Sequence, residues 1–235
     1  MNAKSFGDTV RSASGLSAGE APDLRSGVAA LMVIDVTNFD AHPEHGFARF
    51  AREEGMDLDY YWDRIANRMM PNLVLLLEAF RAAAARVVHV RVGAQFEDYG
   101  DSQAHFREVH RRSGALRGSD EFEVREELRP RLGEAVIDKS GASAFTTGNA
   151  DTVLRNAGVE QLAITGVVTN GCVIASAITA WDLGYQVLVA EDACVGGDAD
   201  QEASALHVMR SMGITICSTT DLIEQLSPAT AGLSS

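Results

Sequence analysis

The sequence lacks the features that bind polyanions, cross membranes or staple a fold covalently. Its 235 residues carry 20 Lys and Arg against 33 Asp and Glu, a net charge of -13, so the clustered cations that a phosphate backbone demands are missing. The basic residues Arg107, Arg111, Arg112 and Arg117 are interleaved with acids and read as a solvated helix face. No nucleic-acid partner is expected. No apolar run approaches the roughly 20 residues that span a bilayer, and residues 1–26 contain no apolar leader core. Three cysteines, far apart and odd in number, make no disulfide framework, and no pair has metal-ligand spacing. These absences together predict a cytoplasmic chain without membrane contact, metal or other cofactor.

Nucleotide signatures are missing as well. Gly166 to Val173 has the glycine spacing of a Walker A loop, but Cys172 and Val173 stand where Lys and Ser or Thr are needed. No Gly-x-Gly-x-x-Gly follows any apolar run. His42 and His45 flank Pro43-Glu44 with no third ligand close by, so a metal is not expected there either.

What is present is an alternation. Short apolar runs at 29–35, 87–92, 134–139, 162–166, 186–191 and 214–217 read as strands buried on both faces. Between them, helical spacing recurs at 62–85, where Pro71 should kink or split the helix, and at 149–157, 173–183, 200–212 and 220–226. Residues 102–117 carry a weaker helical pattern and are expected to lie over the functional site or a neighbouring subunit; 46–59 reads as charged and irregular. Strands alternating with helices imply parallel pairing through right-handed crossovers, hence an α/β fold of three layers. Residues 1–26 read as an arm, 27–235 as a single domain, and the end from Ser227 as a frayed tail.

In such sheets ligands bind outside the carboxyl ends of the strands. Asp35 closes the first apolar run and Lys139 the third, while Cys172 follows the fourth across a tight turn and opens a helical segment. A helix N-terminus offers unpaired N–H groups and a positive dipole end, so the expectation there is a thiol biased toward thiolate. Taken singly, Asp35 fits a helix cap, Lys139 a surface ion pair with Asp138, and Cys172 a buried inert thiol. Together they outline a cleft. Cys194 and Cys217 lack comparable partners and read as packing residues.

An Asp closing the first strand, a Lys closing the third, and Gly-x-x-Thr-x-x-Cys-Val after the fourth resemble the isochorismatase-like cysteine hydrolases. That family includes nicotinamidases, N-carbamoylsarcosine amidase, ureidoacrylate amidohydrolase and biuret hydrolase. The resemblance covers residues 29–226 and implies a Rossmann-like six-stranded parallel sheet of order 3-2-1-4-5-6. It also implies a triad of Asp35, Lys139 and Cys172, a cis peptide at Val167-Val168, and a homo-oligomer, dimer or tetramer. Two departures narrow the expectation. The Asp-x-His metal motif of nicotinamidases is absent from residues 92–98, and Cys172 sets the chain apart from vinyl-ether-cleaving isochorismatases, which lack the cysteine. The opening Asp35-Val36-Thr37-Asn38-Phe39 also differs from the commoner Asp-x-Gln pattern.

The implied activity is hydrolysis of a small linear amide, carbamoyl or ureido compound with release of ammonia. Cys172 would attack, Asp35 would move the proton, Lys139 would hold negative charge, and the N–H groups of Val168 and Cys172 would bind the oxyanion. Phe39, Asn38, Phe145, Thr169 and Asn170 are candidate substrate contacts. For Phe39 and Phe145 the competing reading is core packing, and for Thr169 and Asn170 it is fixing the turn. A non-catalytic or redox-sensing protein with a regulatory Cys172 is the alternative from another class, and vinyl-ether hydrolysis a third.

Overall fold

The computed structural model describes residues 23–227. Six strands form one parallel sheet: β1 Ala29–Ile34, β2 Arg86–Val92, β3 Ala135–Lys139, β4 Gln161–Val167, β5 Gln186–Val195 and β6 Thr215–Cys217. Taken in chain order they stand 3-2-1-4-5-6, the expected arrangement. The order reverses between β1 and β4, which pair in parallel from Ala29↔Gln161 to Ile34↔Gly166. A ligand crevice belongs at that point.

The continuous apolar run of β1 is explained by what lies on its two sides. Ala29, Leu31 and Val33 enter one core cluster, and Ala30, Met32 and Ile34 enter the other. Successive side chains point to opposite faces, so a strand covered twice must be apolar throughout. Nine helices among the described residues supply the cover. They are α1 Asn38–Ala41, α2 Gly46–Glu53, α3 Asp59–Arg64, α4 Met70–Ala82, α5 Arg107–Ser113, α6 Ala150–Asn156, α7 Ile174–Asp182, α8 Ala199–Ser211 and α9 Thr219–Gln225. Leu73, Leu76, Leu77 and Phe80 of α4 and Leu222 of α9 fill the first cluster; Leu154, Ala177, Ala180, Leu206 and Met209 from α6, α7 and α8 fill the second.

Several boundaries differ from the sequence reading. The segment read as one helix from 62 begins at Asp59 and is divided by a π-helical turn, Ile65–Met69, with Pro71 in the first turn of α4. Proline cannot donate to the carbonyl four residues back, and the widened turn, with Met70 N–H donating to Ile65 O, carries the chain past that gap. The charged stretch 46–59 contains α2, whose Ala48 and Ala51 are buried while Arg52 and Glu53 face out. Within 102–117 only Arg107–Ser113 is α-helical, stopped by Gly114 in the left-handed region. Strand β5 runs past Asp192 to Val195, with a register shift against β4 between Ile164 and Gly166.

The arm and tail readings fall mainly on residues 1–22 and 228–235, outside the described residues. Their inner ends meet: Leu24–Arg25 pairs in parallel with Leu226–Ser227, and Leu24 is fully buried in the first core cluster. Leu24 and Arg25, ahead of position 27, are therefore part of the folded unit. Among the described residues no helix is long and apolar enough to cross a membrane.

Candidate active site

Three strand ends deliver the predicted trio to one place. Asp35 follows the last residue of β1 in the left-handed backbone region (φ 55°), a conformation that Asp tolerates better than most side chains. Lys139 is the last residue of β3, two strands away across β2. Adjacent strands lie about 4.8 Å apart, so only a long side chain reaches from β3 to the end of β1. The Lys139 ammonium lies 2.7 Å from Asp35 Oδ2, 3.2 Å from Cys172 Sγ and 2.8 Å from the Gly141 carbonyl. Lys139 is fully buried and does not pair with Asp138, which instead holds Arg91 and Arg117.

Cys172 is carried by the turn after β4. The Val167–Val168 peptide is cis, and residues Thr169–Val173 form a π-helical turn that runs directly into α7. Two of the turn's N–H groups, those of Gly171 and Val173, donate to the Val168 carbonyl. Gly166 permits the approach of β4 to β1: at φ 109° it has no side chain, and a Cβ there would collide with the Ile34 carbonyl.

The electrostatics correct one expectation. The thiol is not biased toward thiolate. Burial pushes the Cys172 pKa up and the Asp35 charge adds to this, while Lys139 opposes both without prevailing. Burial likewise raises Asp35 above the ordinary aspartate range, against the pull of the Lys139 charge and of hydrogen bonds from Lys139 and Cys172. For Lys139, burial works to lower the ammonium, but Asp35 and Cys172 outweigh it and the net shift is upward. The resting site is a thiol beside the Asp35–Lys139 pair.

Of the remaining candidates, Thr169 is fully buried beside Cys172, with its hydroxyl lacking a hydrogen-bond partner among the described residues. Asn170 is engaged elsewhere. It accepts from Gly197 N–H at 3.0 Å and donates to Gln201 Oε1 at 2.5 Å, tying the turn to the loop before α8. Asn38 donates to the Asp120 carbonyl at 2.9 Å and anchors α1 to a later loop. Phe39 is buried edge-on to His110, with ring centroids 5.6 Å apart, and packs against Val92 and Ala115. Phe145 packs on the second core cluster and lies 5.8 Å from the Tyr185 ring, just beyond the end of α7 remote from Cys172.

Three residues not proposed as site residues from sequence complete the surroundings, Tyr61 among them as part of an aromatic trio, Tyr60-Tyr61-Trp62, read as core or interface. The Asp40 carboxyl lies in the field of Asp35 and Lys139, and its Oδ2 is buried without a hydrogen-bond partner. Tyr61 is buried, donates to the Asp40 carbonyl at 3.0 Å, and is raised well above the usual tyrosine value by burial, then by Asp40, Asp35 and Cys172. His110 is buried on α5, its Nδ1 3.0 Å from Ser102 Oγ; burial and the Lys139 charge lower its pKa to about 4, so it is neutral at physiological pH. Asp40 had a weak signal in sequence, an acid near a strand end; Tyr61 and His110 sit in segments whose packing no local pattern reveals. His42 and His45 stack 4.3 Å apart, and among the described residues no group of three or more His, Cys, Asp or Glu is placed to hold a metal ion.

The chain is similar to several known proteins. The ureidoacrylate amidohydrolase RutB of Agrobacterium fabrum is 28% identical over 226 residues, spanning 88% of this chain and 95% of that one. An isochorismatase family protein of Desulfovibrio vulgaris superposes with a TM-score of 0.70 at 28% identity, over 84% of this chain and 97% of that one. N-carbamoylsarcosine amidase of Thermoplasma acidophilum superposes with a TM-score of 0.63 at 26% identity, over 81% and 96%. Residues 63–221, more than half of the sequence, match the isochorismatase domain, and the chain belongs to that family.

Proposed function

We propose that this protein is a cysteine-dependent amidohydrolase that cleaves the carbon–nitrogen bond of a small linear amide, carbamoyl or ureido compound and releases ammonia. The observation that carries the reading is the convergence of Asp35, Lys139 and Cys172, remote in sequence, within 3.2 Å of one ammonium nitrogen. The names of the relatives, an amidohydrolase and an amidase, support the reaction class.

A thiol with a raised pKa still serves as nucleophile when its proton moves internally. Transfer from Cys172 to Asp35 leaves the net charge of the trio unchanged and places the thiolate against Lys139, so the penalty of creating a lone buried charge does not arise. The thiolate attacks the carbonyl carbon and forms the C–S bond. The N–H groups of Val168 and Cys172 take the oxyanion; neither is consumed by the loop hydrogen bonds that hold the turn. Asp35 passes its proton to the departing nitrogen, the C–N bond breaks, and ammonia leaves. It then accepts a proton from water, whose oxygen attacks the thioester, and the thiol is restored. A redox-sensing role fits less well, because sensor thiols are exposed and of low pKa.

The test is ammonia release across biuret, ureidoacrylate, N-carbamoyl amino acids, maleamate and nicotinamide, with a mass-spectrometric search for the acyl adduct on Cys172. Cys172→Ser is expected to abolish turnover while circular dichroism stays unchanged. Full activity in that variant refutes the nucleophile.

A further inference from the structure

Of the three acceptors around the Lys139 ammonium, one does not change during the reaction scheme above. Asp35 Oδ2, at 2.7 Å, takes up and gives back a proton, and Cys172 Sγ, at 3.2 Å, passes from thiol to thiolate to thioester. The Gly141 carbonyl, at 2.8 Å, stays as it is. Once Asp35 is protonated and the sulfur is bonded to carbon, this carbonyl is the one acceptor of the three that still holds the ammonium as it did at rest. A four-carbon side chain released at that stage would lose the position of its charge.

The place of that carbonyl is set by the loop after β3. The Gly141 N–H donates to Thr147 Oγ1 at 3.1 Å, and the same hydroxyl donates to the Ser143 carbonyl at 2.8 Å. The Thr147 backbone joins in: its N–H donates to the Ser143 carbonyl at 3.1 Å, and its own carbonyl accepts from the Ser140 N–H at 3.4 Å. One residue thus bolts the start of the loop to its end. Gly141 is buried, and a Cβ on it would lie 2.6 Å from Gln103 Nε2 and 2.8 Å from the Thr147 methyl. The backbone there is gripped from two sides.

A hydroxyl that bonds to nearby backbone often does no more than stabilise a turn. Here the next bond along is different, because the glycine held by its N–H offers its carbonyl to a fully buried ammonium that also touches Asp35 and Cys172. We infer that Thr147 is a positioning residue, whose hydroxyl holds Gly141 so that its carbonyl keeps the Lys139 ammonium against Cys172 throughout turnover. Thr147 touches no reacting atom. This deepens the amidohydrolase reading and rests on it, since it takes Cys172 as the nucleophile and Lys139 as its counter-charge.

Two variants separate the hydroxyl from the bulk of the side chain. Thr147→Val keeps the shape and the methyl without the hydroxyl, and Thr147→Ser keeps the hydroxyl without the methyl. Thr147 is half-buried and lines a polar cavity of about 550 Å³ with Gln95, Arg117, Asp138 and Asn149, so both variants are expected to fold. The probe is iodoacetamide, which alkylates a thiolate with loss of iodide. Rates at Cys172 are followed by peptide mapping, which separates Cys194 and Cys217, at a temperature where circular dichroism shows each protein fully folded. A thiolate less well countered by Lys139 is rarer, so Thr147→Val should slow alkylation about fivefold, the scale of one net hydrogen bond, while Thr147→Ser stays within about twofold of wild type.

A role in packing alone reverses that order, with Thr147→Ser slow and Thr147→Val normal, and overturns the inference. So do equal rates in all three proteins, or equal losses in the two variants. A Thr147→Val protein that does not fold assigns the hydroxyl to stability instead, and overturns it too. Each of these results, with a reactive wild-type Cys172, leaves the nucleophile assignment standing. A Cys172 inert to iodoacetamide in the folded wild-type protein sinks the two readings together.

Discussion

The two ends of β3 carry two ionic clusters, one partly exposed and one fully buried, and their carboxylates are treated in opposite ways. At the amino end Glu134 accepts from Arg81 Nε at 2.7 Å and Nη2 at 2.9 Å, from the Arg131 N–H at 2.8 Å, and contacts His89 Nε2 at 3.2 Å. These bonds overcome the burial that would raise it and bring its pKa down to about 2. At the carboxyl end Asp35 is met only by Lys139, at 2.7 Å, and more weakly by Cys172, neither making a well-aligned hydrogen bond, and burial leaves its pKa raised. Saturation with donors fixes a charge in place. Under-saturation leaves a group ready to exchange a proton or accept a ligand. A buried acid–base pair is therefore not by itself a sign of function; what separates the two clusters is the number of bonds left unmade.

Neutral isosteres at the two ends should have opposite consequences. Asp35→Asn is expected to lower kcat/KM for ammonia release by about 10³-fold or more, while Glu134→Gln leaves it within about threefold. Equal losses in the two variants would erase the contrast.

Acidification should separate them next. Activity needs the Asp35 carboxylate, so kcat/KM is expected to fall on an acid limb lying above the ordinary aspartate value of 3.8. The stability lent by Glu134 is complete above its unfolded value near 4.5 and is lost only as pH falls toward about 2. Turnover should therefore disappear while near-UV circular dichroism still reports a native fold. Coincident loss of both signals would show that the limb reports unfolding.

A smaller effect is expected on stability itself. Glu134→Gln should lower unfolding free energy at pH 7 by about 1–2 kcal/mol, a range discounted for solvent screening of the partly exposed cluster, and should flatten the acid limb of stability below pH 4.5. The smallest change runs the other way. A carboxyl whose folded pKa is raised costs stability once pH passes its unfolded value, so Asp40→Asn should stabilise the protein near neutral pH by about 0.5–1 kcal/mol. Urea midpoints at pH 5 and pH 8 check both, the Asn variant showing the weaker pH dependence of the pair formed with wild type.

How much of this was legible follows from what each residue depends on. Strand ends are local: an apolar run stopped by Asp35, another stopped by Lys139, and a turn before Cys172 are visible in a short window, and the sheet order then brings them together. The state of the thiol was not local. It depends on burial against Asp35 and on a π-helical turn in place of a plain helix start, and neither leaves a mark in the letters. Asp40 is hidden for a similar reason, because the short helix that carries it is anchored through Asn38 to Glu123 and Asp120, more than 80 residues away. For Phe145 the letters leave core packing and substrate contact open, because its ring contact with Tyr185 lies 40 residues on in the chain and leaves no local pattern.

The bare Cα at Gly166 bears on how the family can vary. Because the Ile34 carbonyl fills the space where a methyl would project, the spacing of the two central strands is gauged by missing atoms rather than by a contact that mutation could tune. The distance between the chain's acid and its sulfur is machined into the bed beneath them.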